Sequence, residues 1–248
     1  MCGLGLSRVS RRLFLKLLAV FTAAVGVGFG AFNLWKHATK PRGGEAWIGG
    51  ETINLPEPRR RGEVSVEQAI ASRRSRRSYT DEPILLSEIS QLCWAAQGVT
   101  EPRKGFRAAP SAGALYPLEI FLVVGNSEIE PGVYHYSPSD HTLQLVRRGD
   151  YRAELCEASL GQAWVRDGAL CFVITAVYER TTWKYGERGR ERYVHMEAGC
   201  VAENIYLQAE ALGLGTVAVG AFYDDRVREI ISAPEEYVPL LVMPVGRL

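Results

Sequence analysis

A chain of 248 residues, 47% hydrophobic and 23% charged, has the composition of a folded protein with room for one domain and an appendage. Its formal net charge of +1 excludes a disordered polyelectrolyte and gives no global attraction to nucleic acid. The five cysteines are scattered without a CxxC, and the four histidines form no HxxxH or HxH pair, so neither a disulfide framework nor a metal centre has support. Cys93, Cys156, Cys171 and Cys200 stand in apolar contexts and read as buried small hydrophobes.

The chain opens with Ser10-Arg11-Arg12-Leu13-Phe14-Leu15-Lys16, then an uncharged apolar run from Leu17 to Leu34. The heptapeptide resembles the twin-arginine export signal, and the run has the length of a signal core or a bilayer span. Arg8, Arg11, Arg12 and Lys16 would hold its start on the cytoplasmic side. A plain signal anchor is the alternative, and cleavage after Gly28-Phe29-Gly30 stays open. Residues 1–35 are therefore expected to be a leader or membrane anchor, 36–62 a linker or extended arm, and 63–248 the folded domain. An exported, extracytoplasmic or membrane-anchored location follows from the leader.

Within the domain, Ser65-Val66-Glu67-Gln68 has the capping-box form and predicts a short helix through Ile70. Ser87 predicts the start of a second, with Ile89, Leu92, Cys93 and Ala96 on one face and Gly98 as its stop. Leu118–Val124 is an apolar run that predicts a buried strand, and Val133–Val146 alternates around Pro138-Ser139-Asp140 as a hairpin. A helix over Tyr151–Ala163 and a buried strand over Ala169–Val177 follow. The longest helix is expected over Arg190–Leu212, where Val194, Ala198, Val201, Ile205 and Ala209 recur at helical spacing and Gly213 ends it. A strand over Thr216–Phe222, a helix over Asp224–Ile231 and a strand over Leu240–Val245 complete the chain. Helices and strands mixed without strict βαβ alternation indicate an α+β sandwich.

Two segments carry chemistry. Ser72-Arg73-Arg74-Ser75-Arg76-Arg77-Ser78-Tyr79 places four arginines in five positions among hydroxyls. Guanidinium forks suit a dianionic phosphate, and a cation near N1 and O2 of a flavin would stabilise the charge of the reduced ring. A solvated basic loop or a nonspecific polyanion patch is the alternative reading of the same cluster. Pro110-Ser111-Ala112-Gly113-Ala114-Leu115-Tyr116-Pro117 leads into the Leu118 strand, and its small residues allow a backbone to approach a flat ring.

The RRSxRxY run, the PSAGALYP loop and the NIYLQAEALGLGT helix end resemble the nitroreductase superfamily, in its SagB-type dehydrogenase branch. The similarity runs from Leu55-Pro56-Glu57-Pro58 to the terminal Pro244-Val245-Gly246-Arg247. It implies an FMN-binding α+β sandwich, with a mixed, mostly antiparallel sheet flanked by helices. It also implies a homodimer whose two FMN molecules lie at the interface. Matched to the family pattern, Arg73, Arg74, Ser75 and Arg77 form the first FMN-binding segment, with Arg77 at the pyrimidine edge. Pro110, Ser111, Ala112 and Gly113 match the segment reaching the flavin from the other subunit. Gly220 and Ala221 match the backbone facing N5, and Arg247 a terminal basic position. Lys184 and Tyr185 match the pair assigned to proton abstraction in the branch's azoline oxidases, which suits hydride removal from a neighbouring carbon. The branch often has Gly-His where this chain has Gly199-Cys200, a departure from the pattern.

The resemblance thus implies a two-electron oxidoreductase working in ping-pong fashion at flavin N5, on a small-molecule or peptide substrate, with an unidentified electron partner. The familiar task of the branch, heterocycle oxidation in ribosomal peptides, is cytoplasmic, and the leader argues against it here. A membrane-tethered flavin-binding or flavin-free scaffold is the competing class, and the absence of a flavin spectrum would favour it. Nucleic-acid binding by the arginine cluster is not expected.

Overall fold

A computed structural model describes residues 50–248; the leader and the first part of the expected linker lie outside them. No helix among the described residues is long and apolar enough to cross a membrane.

A seven-stranded sheet organises the domain, and every pairing between its strands is antiparallel. In chain order its strands are β1 (Thr52–Asn54), β4 (Leu118–Val124), β5 (Gly132–Ser137), β6 (Thr142–Arg148), β7 (Leu170–Ala176), β8 (Leu214–Thr216) and β9 (Val238–Arg247). The spatial order is β1-β6-β5-β4-β7-β9-β8. A separate two-stranded ribbon pairs β2 (Val99–Glu101) with β3 (Phe106–Arg107).

The central strands read as unbroken apolar runs because both sheet faces are covered. Leu118, Ile120, Leu122 and Val124 of β4 join Leu170, Phe172 and Ile174 of β7 on one face. There they pack under α2 (Leu86–Gln97) through Ile89, Leu92 and Ala96, and under α6 (Val194–Ala211) through Val201 and Ile205. Phe121, Val123, Cys171 and Val173 point to the opposite face. That face is roofed by α3 (Arg152–Ala158), α4 (Ala163–Asp167) and α7 (Asp224–Ile230). Burying a Val, Leu, Ile or Phe side chain contributes about 1.5–3 kcal/mol each, so these two layers supply most of the drive to fold. Cys93, Cys156 and Cys171 are buried and reduced, and Cys200 is half-buried. Burial pushes the Cys93 and Cys171 thiols up, which keeps them unreactive.

Helix α1 (Val66–Ser72) carries the expected capping box: the Gln68 amide N–H reaches Ser65 Oγ, and Gln68 Oε1 accepts from Ser65 N–H. Four expected elements differ most from those that form. The second helix begins at Leu86 because the Glu88 carboxylate accepts the Leu85 N–H, so Ser87 is not its cap. The helix expected over Tyr151–Ala163 is two helices, divided where Leu160 (φ 58°) and Gly161 (φ 72°) turn left-handed. The long helix starts as a π-turn over Gly189–Tyr193 before becoming α-helical at Val194. The strand expected over Thr216–Phe222 is Leu214–Thr216 instead. Beyond Thr216 the backbone leaves the sheet: Ala218 N–H donates to Tyr206 Oη (2.7 Å), and Val219 makes an isolated bridge to Val242.

Unforeseen elements are β1 at the sheet edge, the β2–β3 ribbon, and α5 (Glu179–Tyr185). Thr52–Asn54 lies within the stretch read as a linker or extended arm and pairs with Thr142–Gln144.

Candidate active site

The structure gathers the residues singled out by sequence into two groups. The first is built on the segment after α1, which runs beside β8: Ser75 bridges to Thr216, and Arg76 N–H donates to Thr216 O (2.9 Å). Ser75 Oγ lies 3.0 Å from Tyr206 Oη, whose ring also carries the Arg73 guanidinium at 5.1 Å. Arg73 has a distant carboxylate neighbour, Glu203, at 4.0 Å. Arg74 bonds to the carbonyls of Arg73 and Ala71.

Arg77 stacks on Trp164 of α4 at 5.4 Å and lines a cavity of about 460 Å³. The other two arginines of that cavity are spoken for: Arg152 is held by Asp150, and Arg166 by Asp167. Among the described residues no carboxylate comes within 4 Å of Arg74 or Arg77. The α4 segment also reaches the Gly220–Ala221 stretch, since Gln162 Nε2 donates to Ala221 O (3.0 Å). A Cβ built on Gly220 would meet nothing within 4 Å, so this backbone faces open space. Trp164 Nε1, beside Arg77, is buried with no hydrogen-bond partner.

The second group is the Pro110–Pro117 loop against α5. Gly113 has φ 65°, and a Cβ there would lie 2.8 Å from both Lys184 Nζ and Tyr185 Oη. Glycine is required for two reasons at once, the left-handed backbone and the close approach of the pair. Ala114 (φ 53°) and Tyr116 (φ 48°) are also left-handed, a local strain of about 1 kcal/mol each that surrounding bonds must sustain. Ser111 Oγ accepts Tyr116 N–H (2.9 Å), Tyr116 Oη accepts Arg107 N–H (3.1 Å), and Arg107 stacks on the Tyr116 ring. Tyr185 packs edge-on against Tyr193 of the π-turn, with ring centroids 5.1 Å apart.

Two buried ionic features behind this loop escaped the sequence reading. Arg180, in the first turn of α5, ion-pairs with Glu119 (2.5 Å) and also donates to Tyr116 O (3.3 Å). His135 donates to the second Glu119 oxygen (2.6 Å). Burial works to raise the Glu119 carboxyl, but the His135 hydrogen bond and the Arg180 charge outweigh it and hold it below the usual range. A lone glutamate inside the apolar run of β4 was the available signal. The other is Glu197 of α6, 3% exposed, which accepts from Gln97 Nε2 (3.2 Å). Burial pushes it up to about 7, partly offset by Ser111, Gln97 and the Arg107 charge. Its sequence signal was a carboxylate three residues after Val194, on the apolar stripe of the helix.

Glu197 makes stability pH-dependent with a definite sign. The folded chain retains a proton that the unfolded chain releases near 4.5, so this contribution is full below pH 4.5 and lost as pH rises toward 7. At roughly 1.4 kcal/mol per pK unit, the loss is on the order of 3 kcal/mol. Denaturant titrations at several pH values should show Glu197→Gln without this decline, while a parallel decline in both proteins would contradict the assignment.

Arg247 does not join either group. Glu88 (2.8 Å) and Glu82 (3.4 Å) hold its guanidinium, so it ties β9 to the start of α2. No hydrogen bond or ion pair between described residues links the arginine group to the loop group.

Comparison with known proteins places these features in a family. Residues 70–247 match the model of the nitroreductase family. The chain is 48% identical over 199 residues to protein MJ1384 of Methanocaldococcus jannaschii, named provisionally as a nitroreductase, covering 79% of this chain and 96% of that one. A crystal structure described provisionally as a nitroreductase, from Ralstonia eutropha, superposes with a TM-score of 0.70 at 32% identity, over 79% of this chain and 89% of that one. A chain of the Escherichia coli microcin synthetase McbBCD complex, solved with truncated pro-MccB17 bound, gives 0.63 at 25% identity, over 81% and 79%. The chain belongs to the nitroreductase family.

Proposed function

We propose that this protein is an FMN-dependent oxidoreductase of the SagB-type dehydrogenase branch, moving two electrons between an organic substrate and a separate acceptor. The observation that carries the reading is the convergence of Lys184 Nζ and Tyr185 Oη on Gly113 of the small-residue loop. A proton-handling pair is thereby set against a segment shaped to approach a flat ring.

The residues fit FMN. Arg73, Arg74 and Ser75 offer donors suited to a phosphate, and Arg77 offers a cation with no carboxylate within 4 Å, beside the orphaned indole N–H of Trp164. The open space at Gly220 suits backbone contact with a ring edge. Membership of the nitroreductase family supports a homodimer in which each FMN touches both subunits. FMN bound here would supply two-electron hydride chemistry to a substrate and an acceptor in turn. The protein's own work is to fix the ring, balance its charge through Arg77, and take or return the substrate proton at Lys184 and Tyr185. Arg247 is left out of this set because Glu82 and Glu88 engage it.

The twin-arginine leader adds a location outside the cytoplasm, where the electron partner would be a quinone, a redox carrier or oxygen. Finding the folded domain in the cytoplasm, rapidly reduced by NAD(P)H, would contradict that part. For the site itself, Arg77→Ala should weaken FMN binding by roughly tenfold, the worth of one charge-assisted hydrogen bond. It should also lower the flavin midpoint potential. Fluorescence titration and redox titration check the two effects, and unchanged values would remove Arg77 from the site.

A further inference from the structure

We propose that Tyr206 is a positioning residue that makes the site selective for a phosphorylated ligand, by turning the Ser75 hydroxyl proton outward and carrying the Arg73 guanidinium on its ring. This rests on the reading above, in which the arginine segment takes the phosphate of FMN.

One side chain of α6 touches both strips assigned to the cofactor. Tyr206 Oη lies 3.0 Å from Ser75 Oγ in the arginine segment, and it accepts Ala218 N–H at 2.7 Å, just before Gly220 and Ala221. The roles in the first contact follow from the second. With the amide donating to it, the phenol oxygen has one lone pair engaged. The other is drawn into the ring, which makes a phenol a weak acceptor and a strong donor. Its proton therefore goes to Ser75 Oγ. A serine hydroxyl has one proton to give and two lone pairs to receive. One lone pair takes the Tyr206 proton, so the serine's own proton points away from the phenol. Ser75 is exposed, and no other hydrogen bond to its hydroxyl forms among the described residues. An anion arriving from solvent thus meets a donor. In the reverse arrangement it would meet only lone pairs, which a phosphate oxygen repels.

The face of the same ring carries the Arg73 guanidinium, with Cζ 5.1 Å from the centroid. Glu203, about one turn earlier on α6, stands 4.0 Å from Arg73 Nε. That is too far for a hydrogen bond, so the guanidinium keeps its donors for a ligand. The backbone of the segment is fixed separately: Ser75 bridges to Thr216, and Arg76 N–H donates to Thr216 O. Tyr206 is half-buried, and its neighbours Val201, Ala202, Ile205 and Ala209 on α6 are buried and apolar. Phenylalanine would fill the same space. What the hydroxyl adds is the pair of polar contacts, one to each strip.

The test is fluorescence titration of the full chain with FMN and with riboflavin, which has the same ring without the phosphate. The wild type should bind FMN more tightly. Tyr206→Phe keeps the ring under Arg73 but removes the lock on the Ser75 hydroxyl. FMN affinity should then fall about fivefold, the worth of one hydrogen bond, with riboflavin affinity unchanged. Ser75→Ala should show the same selective loss, and adding Tyr206→Phe to it should cost nothing further, because the two act through one proton. Equal weakening of FMN and riboflavin in Tyr206→Phe would show a structural role only and overturn the proposal. Losses that add in the double variant would overturn it too, since Ser75 would then act without Tyr206. A wild type that binds both flavins equally would overturn it while leaving the flavin reading intact. Failure of the wild type to bind either flavin would overturn both readings together.

Discussion

Arg180→Met should destabilise the domain by about 3–5 kcal/mol, because it strands the buried Glu119 carboxylate without its ion-pair partner. Both side chains are 11% exposed, so water cannot replace the lost partner. His135 would remain as the other contact at 2.6 Å, softening the loss without cancelling it. Adding Glu119→Gln to the methionine variant should restore part of the stability, since the stranded charge is then gone. Urea unfolding of the two single variants and the double variant measures the coupling. A loss below about 1 kcal/mol for Arg180→Met would mean that the pair is solvated in practice. Arg180 also holds Tyr116 O, so the same variant should loosen the loop that faces α5.

The second large effect is chemical. Lys184→Ala combined with Tyr185→Phe should slow substrate oxidation by roughly 10²–10⁴-fold, the usual worth of positioned acid–base groups, while leaving FMN bound. The two side chains meet at Gly113 and have no part in either hydrophobic layer, so the fold should survive their truncation. Single-turnover kinetics with the flavin signal as the readout separate this step from binding. Flavin lost in proportion to activity would instead assign the pair a structural role.

Much of this fold could be read from the sequence because its strands and helices are buried in regular patterns. Leu118–Val124 has the predicted limits, and the Ser65 capping box forms as its residue spacing requires. Errors arose where local signals competed with tertiary ones. Thr216–Phe222 has strand-like residues, yet the Tyr206 hydroxyl takes the Ala218 amide and draws the chain out of the sheet. Ser87 is a good cap residue, but Glu88 reaches one turn back and moves the helix start. The short β1, β2 and β3 carry too few residues to show a period and are fixed by their partners.

The candidate site was legible in part for a similar reason. Motif residues such as Arg73, Ser75, Ser111 and Gly113 are contiguous in sequence, so their pattern can be seen directly. Glu119, Arg180 and Glu197 work through partners 16 to 100 positions away in sequence. Only folding brings Arg180 to Glu119, or Glu197 to Gln97. Arg247 shows the converse case: its position matches a motif, but two glutamates nearby in space engage it.

The most direct test of the account is the flavin content of the purified full-length chain. Denaturing the protein and quantifying the released cofactor should yield FMN stoichiometric with the chain, after reconstitution if needed, with the absorbance bleaching on two-electron reduction. A chain that remains colourless and does not quench added FMN would contradict the account, leaving a nitroreductase fold that serves as a scaffold.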